Sequence, residues 1–132
     1  RVLNNDIADY AVPEDENMAL GMASHKLTSS LTVNPFSEFF ITPSLVVFSP
    51  RWGVDAQDWD SGEWIYGKHD AEAFVDLTLL HRDVGIEGLN IALSAHNLFN
   101  AKGVYIEPYF GWEAPIHKPG REVMLTLTYE NF

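Results

Sequence analysis

All four tryptophans of the chain, Trp52, Trp59, Trp64 and Trp112, fall in two long stretches without a regular hydrophobic period. The first stretch, residues 49–70, also carries Asp55, Asp58, Asp60, Glu63, Tyr66 and Asp70, and the second, residues 99–120, adds Tyr109. Exposed aromatic rings stack on a ligand, and carboxylates beside them accept its hydrogen bonds. Trp52, Asp58, Trp59, Asp60, Trp64, Tyr66, Tyr109 and Trp112 are therefore the candidate ligand contacts. The competing use of the same residues is packing between loops beneath a solvated acidic surface. Acids at this density repel anionic chelates and favour a cationic or neutral ligand.

Other chemistry finds less support. Asp55, Asp58, Asp60 and Gly62 resemble a calcium loop only loosely, because an EF-hand needs its ligands, glycine and closing glutamate at other spacings. His25, His69, His81, His96 and His117 are scattered, with no H-E-x-x-H pair, so no metal site is expected. His96 as a haem ligand competes with His96 as a hydrogen-bonded polar residue. Glu72 and Asp76 share one face of a strand, which suits a carboxylate pair for acid–base work. Bonds from them to neighbouring strands are the plainer use. There is no cysteine and no G-x-S-x-G elbow, so nucleophilic catalysis has no candidate, and neither enzymatic activity nor a cofactor is expected.

The elements that must position these residues are strands. Five runs alternate with a period of two, at residues 25–33, 39–48, 72–81, 89–98 and 121–130, and almost nothing repeats at a helical period. One face takes Leu27, Ser29, Leu31 and Val33, then Phe39, Ile41, Pro43, Leu45 and Val47. It continues with Ala73, Val75, Leu77 and Leu79, with Leu89, Ile91, Leu93 and Ala95, and with Val123, Leu125, Leu127 and Tyr129. The opposite face holds Lys26, Thr28, Ser30 and Thr32, then Phe40, Thr42, Ser44, Val46 and Phe48, then Phe74, Asp76, Thr78 and Leu80, then Asn90, Ala92, Ser94 and His96, and last Glu122, Met124, Thr126 and Thr128, so it is rich in small neutral polar groups with few charges at mid-strand. If Val33 opposes Phe39, Leu31 meets Ile41 and Leu27 meets Leu45. If Leu79 opposes Leu89, Leu77 meets Ile91 and Val75 meets Leu93. Pro43 removes a ladder donor in mid-strand, which predicts a local bulge or kink there.

Length and composition bound the solvent around these strands. A chain of 132 residues supports one ordinary domain, and its 46% apolar content is not that of a disordered chain. With 8 basic against 19 acidic residues the net charge is -11, the wrong sign for a nucleic-acid partner. No run approaches the roughly 18 apolar residues of a membrane helix, and no signal peptide is evident. Arg1 is not an initiator methionine, so the chain reads as a piece of something longer or as a mature segment. The runs are longer than the about 5–6 residues usual for soluble strands and match the roughly 9–11 of a tilted membrane strand. No charge falls on the apolar face, whereas Arg or Lys there would cost about 2–4 kcal/mol at a bilayer midplane. Connections alternate short and long, as periplasmic turns and extracellular loops do in outer-membrane barrels. Phe36, Phe39, Tyr129 and Phe132 at one end, with Phe48, Trp52 and Phe99 at the other, suit two aromatic girdles. Five amphipathic strands also suit a soluble β-sandwich with long loops, in which Trp59, Trp64 and Trp112 form a carbohydrate-stacking platform.

The run from Leu89-Asn90-Ile91 to Asn97-Leu98-Phe99-Asn100, then Pro119-Gly120-Arg121 and an alternating strand closing on Phe132, resembles the C-terminal end of TonB-dependent outer-membrane receptors. Ser24-His25-Lys26-Leu27 before the first run resembles the same family, and the likeness spans residues 24–132. It implies an all-β fold: an antiparallel transmembrane β-barrel of the roughly 22-stranded, plugged kind, of which this chain supplies the last five strands and other chain segments the rest. It implies location in the outer membrane of a Gram-negative cell and transport: uptake of a scarce ligand such as a siderophore, haem, cobalamin, a metal or a sugar. The implied partners are the remaining barrel and plug, the TonB energy-coupling complex acting on an N-terminal part, and outer-membrane lipid with lipopolysaccharide. Residues 1–24 are then an extracellular loop segment and residues 25–132 the barrel strands with two long extracellular loops. Asp76, Asn90 and His96 face the lumen. A structural barrel element of an outer-membrane complex is the other membrane reading. Phe132 is out of phase with Tyr129, so a bulge near Asn131 is expected.

Overall fold

A computed structural model describes residues 11–13, 15, 18–106 and 116–130. The fold is all-β with antiparallel sheets, and no helix occurs among the described residues. In chain order the strands are β1 (Lys26–Ser30), β2 (Val33–Phe36), β3 (Phe39–Phe48), β4 (Arg51–Gln57), β5 (Trp64–His69), β6 (Glu72–His81), β7 (Leu89–His96), β8 (Val104–Tyr105), β9 (Ile116–His117) and β10 (Glu122–Tyr129). Six of them form one sheet in the order β1-β3-β6-β7-β10, with β2 also pairing β3, while β4-β5 and β8-β9 form two-stranded sheets. Among the described residues the large sheet does not close on itself, and β1 and β10 are its edges.

The expected faces are realised. Leu125 pairs with Leu93, Leu127 with Ile91 and Val123 with Ala95, so the apolar rows of β7 and β10 lie side by side. Leu79 pairs with Leu93 and Leu77 with Ala95, which extends the same rows into β6. Arg82 N donates to Glu38 O at 2.8 Å, and the rings of Phe39 and His81 lie 5.9 Å apart, so β3 joins in the same phase. Thr32 bonds Thr42 at 2.9 Å and Thr78 bonds Ser94 at 3.3 Å across the opposite, polar face.

The expected registers are corrected. Val33 opposes Ile41, not Phe39, and Leu79 opposes Leu93, not Leu89. Both shifts are even, so no side chain changes face. The second arises in the connection from Arg82 to Gly88, which holds itself together. Asp83 Oδ1 accepts from Gly88 N at 2.6 Å and Val84 N donates to Leu89 O at 2.8 Å. Gly88 must be glycine there, because its φ is 82° and the Glu130 carbonyl occupies the place of a Cβ.

The first run does not form one strand. It breaks at Leu31–Thr32 into β1 and β2, and the register shifts between Val33 and Phe36. Pro43 lies opposite the break, and β3 continues unbroken across it, while the register shift itself spans Asn34 and Pro35. Leu31 N donates to Pro43 O at 3.1 Å, and proline has no N–H to return the bond.

Both long connections contain strands that periodicity did not reveal, β4-β5 in the first and β8-β9 in the second. Phe48 and Trp52 leave the expected girdle: Phe48 lies on the polar face against three cations, and Trp52 packs on a small core. Phe36 and Phe99 remain 72% and 75% exposed. Phe132 and the bulge expected near Asn131 lie outside the described residues.

The chain folds as two compact units that interleave in sequence. One is Arg1–Lys26, Val47–Glu72 and Lys102–Lys118, and the other is Leu27–Val46, Ala73–Ala101 and Pro119–Phe132. The first holds all the buried apolar residues described: Val12, Ala19 and Leu20, from the polar-looking stretch ahead of β1, and Val54 on β4. In the second unit no apolar side chain is buried among the described residues. Leu31, Val123, Leu125 and Leu127 are each more than 60% exposed on the uncharged face.

Candidate functional site

The aromatic and acidic residues of the first long connection are organised by the β4-β5 hairpin. Trp52 on β4 and Trp64 and Tyr66 on β5 are half-buried against Val12, Leu20 and Val54. Their apolar rings are thereby used in packing, and the Trp52 indole N–H is buried without an acceptor. Trp59 stands at the turn and is 71% exposed. Asp58 and Asp60 share that turn. Asp58 N donates to Glu63 O at 2.8 Å, and Gly62 N donates to Asp58 O at 2.7 Å. Asp60 N donates to Asp58 Oδ1 at 2.9 Å. This backbone bond, followed by bonds from Ser61, holds the Asp58 carboxyl below its ordinary range. The Asp58 carboxylate is thus committed to its own turn, while Trp59 and Asp60 face solvent. Tyr109 and Trp112 lie outside the described residues.

Further along the hairpin, His69 Nε2 lies 2.9 Å from Asp55 Oδ1. The Asp55 carboxylate fills the space that a side chain on Gly67 would take. Asp55 is therefore not free to join Asp58 and Asp60, and no cluster of three metal-ligating side chains exists among the described residues.

Two of the three residues assigned to the polar face come together. Asp76 Oδ2 lies 3.6 Å from His96 Nδ1, and Asp76 Oδ1 accepts from Asn97 N at 2.8 Å. Asn90 sits at the opposite end of β7, where its Oδ1 takes a long 3.4 Å bond from Asp83 N. Glu72 and Asp76 do not act as a pair, since each carboxylate has its own partners. Glu72 Oε2 meets Arg51 Nη2 and Lys118 Nζ, each at 2.7 Å, and Oε1 accepts from Val104 N at 2.9 Å.

The motif Asn97-Leu98-Phe99-Asn100 has a local physical role. Asn97 and Asn100 both adopt left-handed backbone, with φ of 48° and 54°, a conformation that asparagine tolerates better than most residues. Asn97 Nδ2 donates to Ala101 O at 2.9 Å and to Pro119 O at 3.3 Å, and its Oδ1 accepts from Ala101 N at 2.8 Å. Asn100 Oδ1 accepts from Arg121 N at 3.0 Å, which fixes where β10 begins. The same oxygen lies 2.8 Å from the position of a Cβ on Gly120, so a side chain there would displace it.

Residue types alone did not reveal the cluster around Phe48. Lys26, Arg51 and Lys118 approach its ring at 5.2, 4.9 and 5.0 Å, and Glu72 pairs with the last two. The available signal was the scarcity of cations: few basic residues occur in this chain, and three meet at one ring. Comparisons with protein-family models, with curated proteins and with solved structures find no match to the chain.

Proposed function

We propose that this chain supplies barrel strands of a TonB-dependent outer-membrane receptor and takes part in the uptake of a scarce ligand: a siderophore, haem, cobalamin, a metal or a sugar. The observation that carries the membrane part of the reading is the uncovered apolar face of the large sheet. Its rows, such as Leu79–Leu93–Leu125, run across adjacent strands without a charged residue, yet Leu93 is 42% and Leu125 63% exposed. In water such a face must be covered by a second layer. A hydrocarbon solvent leaves it stable as it stands, and the hydroxyl pairs of the other face suit a barrel interior. The soluble sandwich lacks its second layer among the described residues of this face, and two of its three platform tryptophans have diverging roles, Trp64 in packing and Trp59 at a turn.

The receptor part rests on the resemblance of residues 24–132. It calls for partner strands to pair the edges β1 and β10, since open edges in lipid leave several unsatisfied backbone groups. It calls also for a plug, for the energy-coupling complex and for a lipopolysaccharide surround. Trp59 and Asp60 are the first of the candidate contacts to test for ligand. The chain has no native cysteine, so a single one can be placed at will. Cysteines at Leu79, Leu93 and Leu125, and at Thr78, Ser94 and Thr126, each carry a fluorophore in vesicles that contain a lipid-borne quencher. Quenching at the first three positions and not at the second three is the expected result. Equal quenching on both faces, or none on either, would sink the membrane reading.

A further inference from the structure

We propose that Lys26, Arg51 and Lys118 form a binding site for a small doubly charged oxyanion, a phosphate or phosphate monoester, beside the ring of Phe48. The three cations lie within 5.2 Å of the centroid of one ring, and the Glu72 carboxylate pairs with Arg51 and Lys118. Among the described residues, the contacts at this ring set three positive charges beside one negative, in a chain whose net charge is -11.

Glu72 has little capacity left to satisfy Arg51. One of its oxygens serves both Arg51 and Lys118, and the other takes the Val104 amide. Arg51 is the decisive group. Its residue is 8% exposed, its Nε has no acceptor, and its Nη2 lies at ion-pair distance from Glu72 without the alignment of a hydrogen bond. A guanidinium removed from water with N–H groups unmet is costly, and buried polar groups are rarely left so. A tetrahedral oxyanion offers such a fork several acceptors that carry negative charge. Lys118 stands on the same Glu72 oxygen, and Lys26, which is exposed, forms the open rim through which an anion arrives.

The site differs in sign from the acidic β4-β5 turn. Repulsion by distant acids is screened over about 8 Å at physiological salt, whereas contact with three cations is not. A compact dianion gains most from that arrangement and chloride least. The inference stands apart from the receptor reading, because it concerns one cluster within one compact unit.

Calorimetric titration of the folded protein with inorganic phosphate, in chloride at constant ionic strength, tests it. Saturable binding is expected, weakened about fivefold by Lys26→Gln, a rim charge at contact distance in water. Lys102→Gln, an exposed lysine outside the cluster, should leave the affinity unchanged. Arg51→Gln should abolish binding. Because it also breaks the Glu72 pair, Lys26→Gln is the variant that decides. Glycerol phosphate is titrated in parallel: tighter binding than inorganic phosphate supports the site with an esterified ligand, and equal or weaker binding supports it with free phosphate. Failure of both to saturate, or equal affinity in wild type and Lys26→Gln, overturns the proposal.

Discussion

Replacing Asn97 by alanine should loosen the junction between β7 and β10 more than any exposed substitution nearby. Asn97 is 7% exposed, and its side chain makes two short hydrogen bonds to Ala101, at 2.9 and 2.8 Å, and a longer one to Pro119. Two such bonds contribute about 1–3 kcal/mol net. Alanine must also hold φ near 48°, which costs a residue with a Cβ about 1–2 kcal/mol where asparagine is tolerated. The expected loss is therefore about 2–5 kcal/mol. Glycine at the same position removes the hydrogen bonds but not the permissive backbone, so Asn97→Gly should be milder than Asn97→Ala by about 1–2 kcal/mol. Urea unfolding of the protein in lipid vesicles, followed by tryptophan fluorescence, measures both. If Asn97→Ala lies within about 0.5 kcal/mol of wild type, the size expected of an inconsequential surface change, the clamp has no energetic weight and the reasoning fails.

Other consequences are sharper in sign than in size. Leu125→Arg puts a charge on the uncharged face and should cost about 2–4 kcal/mol of stability in a bilayer, whereas Thr126→Arg on the polar face should cost far less. Folding yields into vesicles compare the two, and equal losses would contradict the facing. The Asp58 carboxyl is held below its ordinary value of 3.8, so its contribution to the β4-β5 turn is present above that value and lost as pH falls through the lower folded value. Hydrogen exchange of the Asp60 amide should therefore stay protected down to the ordinary carboxylate range and quicken only below it. Loss of protection near neutrality would separate that amide from the Asp58 carboxylate. Glu72→Gln removes the anion shared by Arg51 and Lys118 and should destabilise by about 3–5 kcal/mol, the scale for stranding one partner of a buried ion pair. A neutral result in thermal unfolding would show that both cations find solvent instead.

The sequence by itself determined which residues share a face. Strand alternation is a property of the local backbone, so Leu79, Leu93 and Leu125 could be placed together before any pairing was known. The bounds of β3 and β6 were legible for the same reason. The motif from Asn97 to Asn100 was legible as a landmark, though not as the clamp that starts β10. Register was not legible. It depends on how the Asp83 side chain closes one turn and on the irregularity between Val33 and Phe36 beside the other, neither of which alternation encodes. The β4-β5 hairpin escaped notice because Gly53, Asp55 and Gly67 interrupt its alternation, and Asp55 fits only because Gly67 leaves the space. Burial of Val12 and Leu20 in a stretch of polar text, and the gathering of Lys26, Arg51, Glu72 and Lys118 at Phe48, were decided by tertiary structure alone. Those residues are tens of positions apart, and only the folded chain brings them within the few ångströms over which charge and packing act.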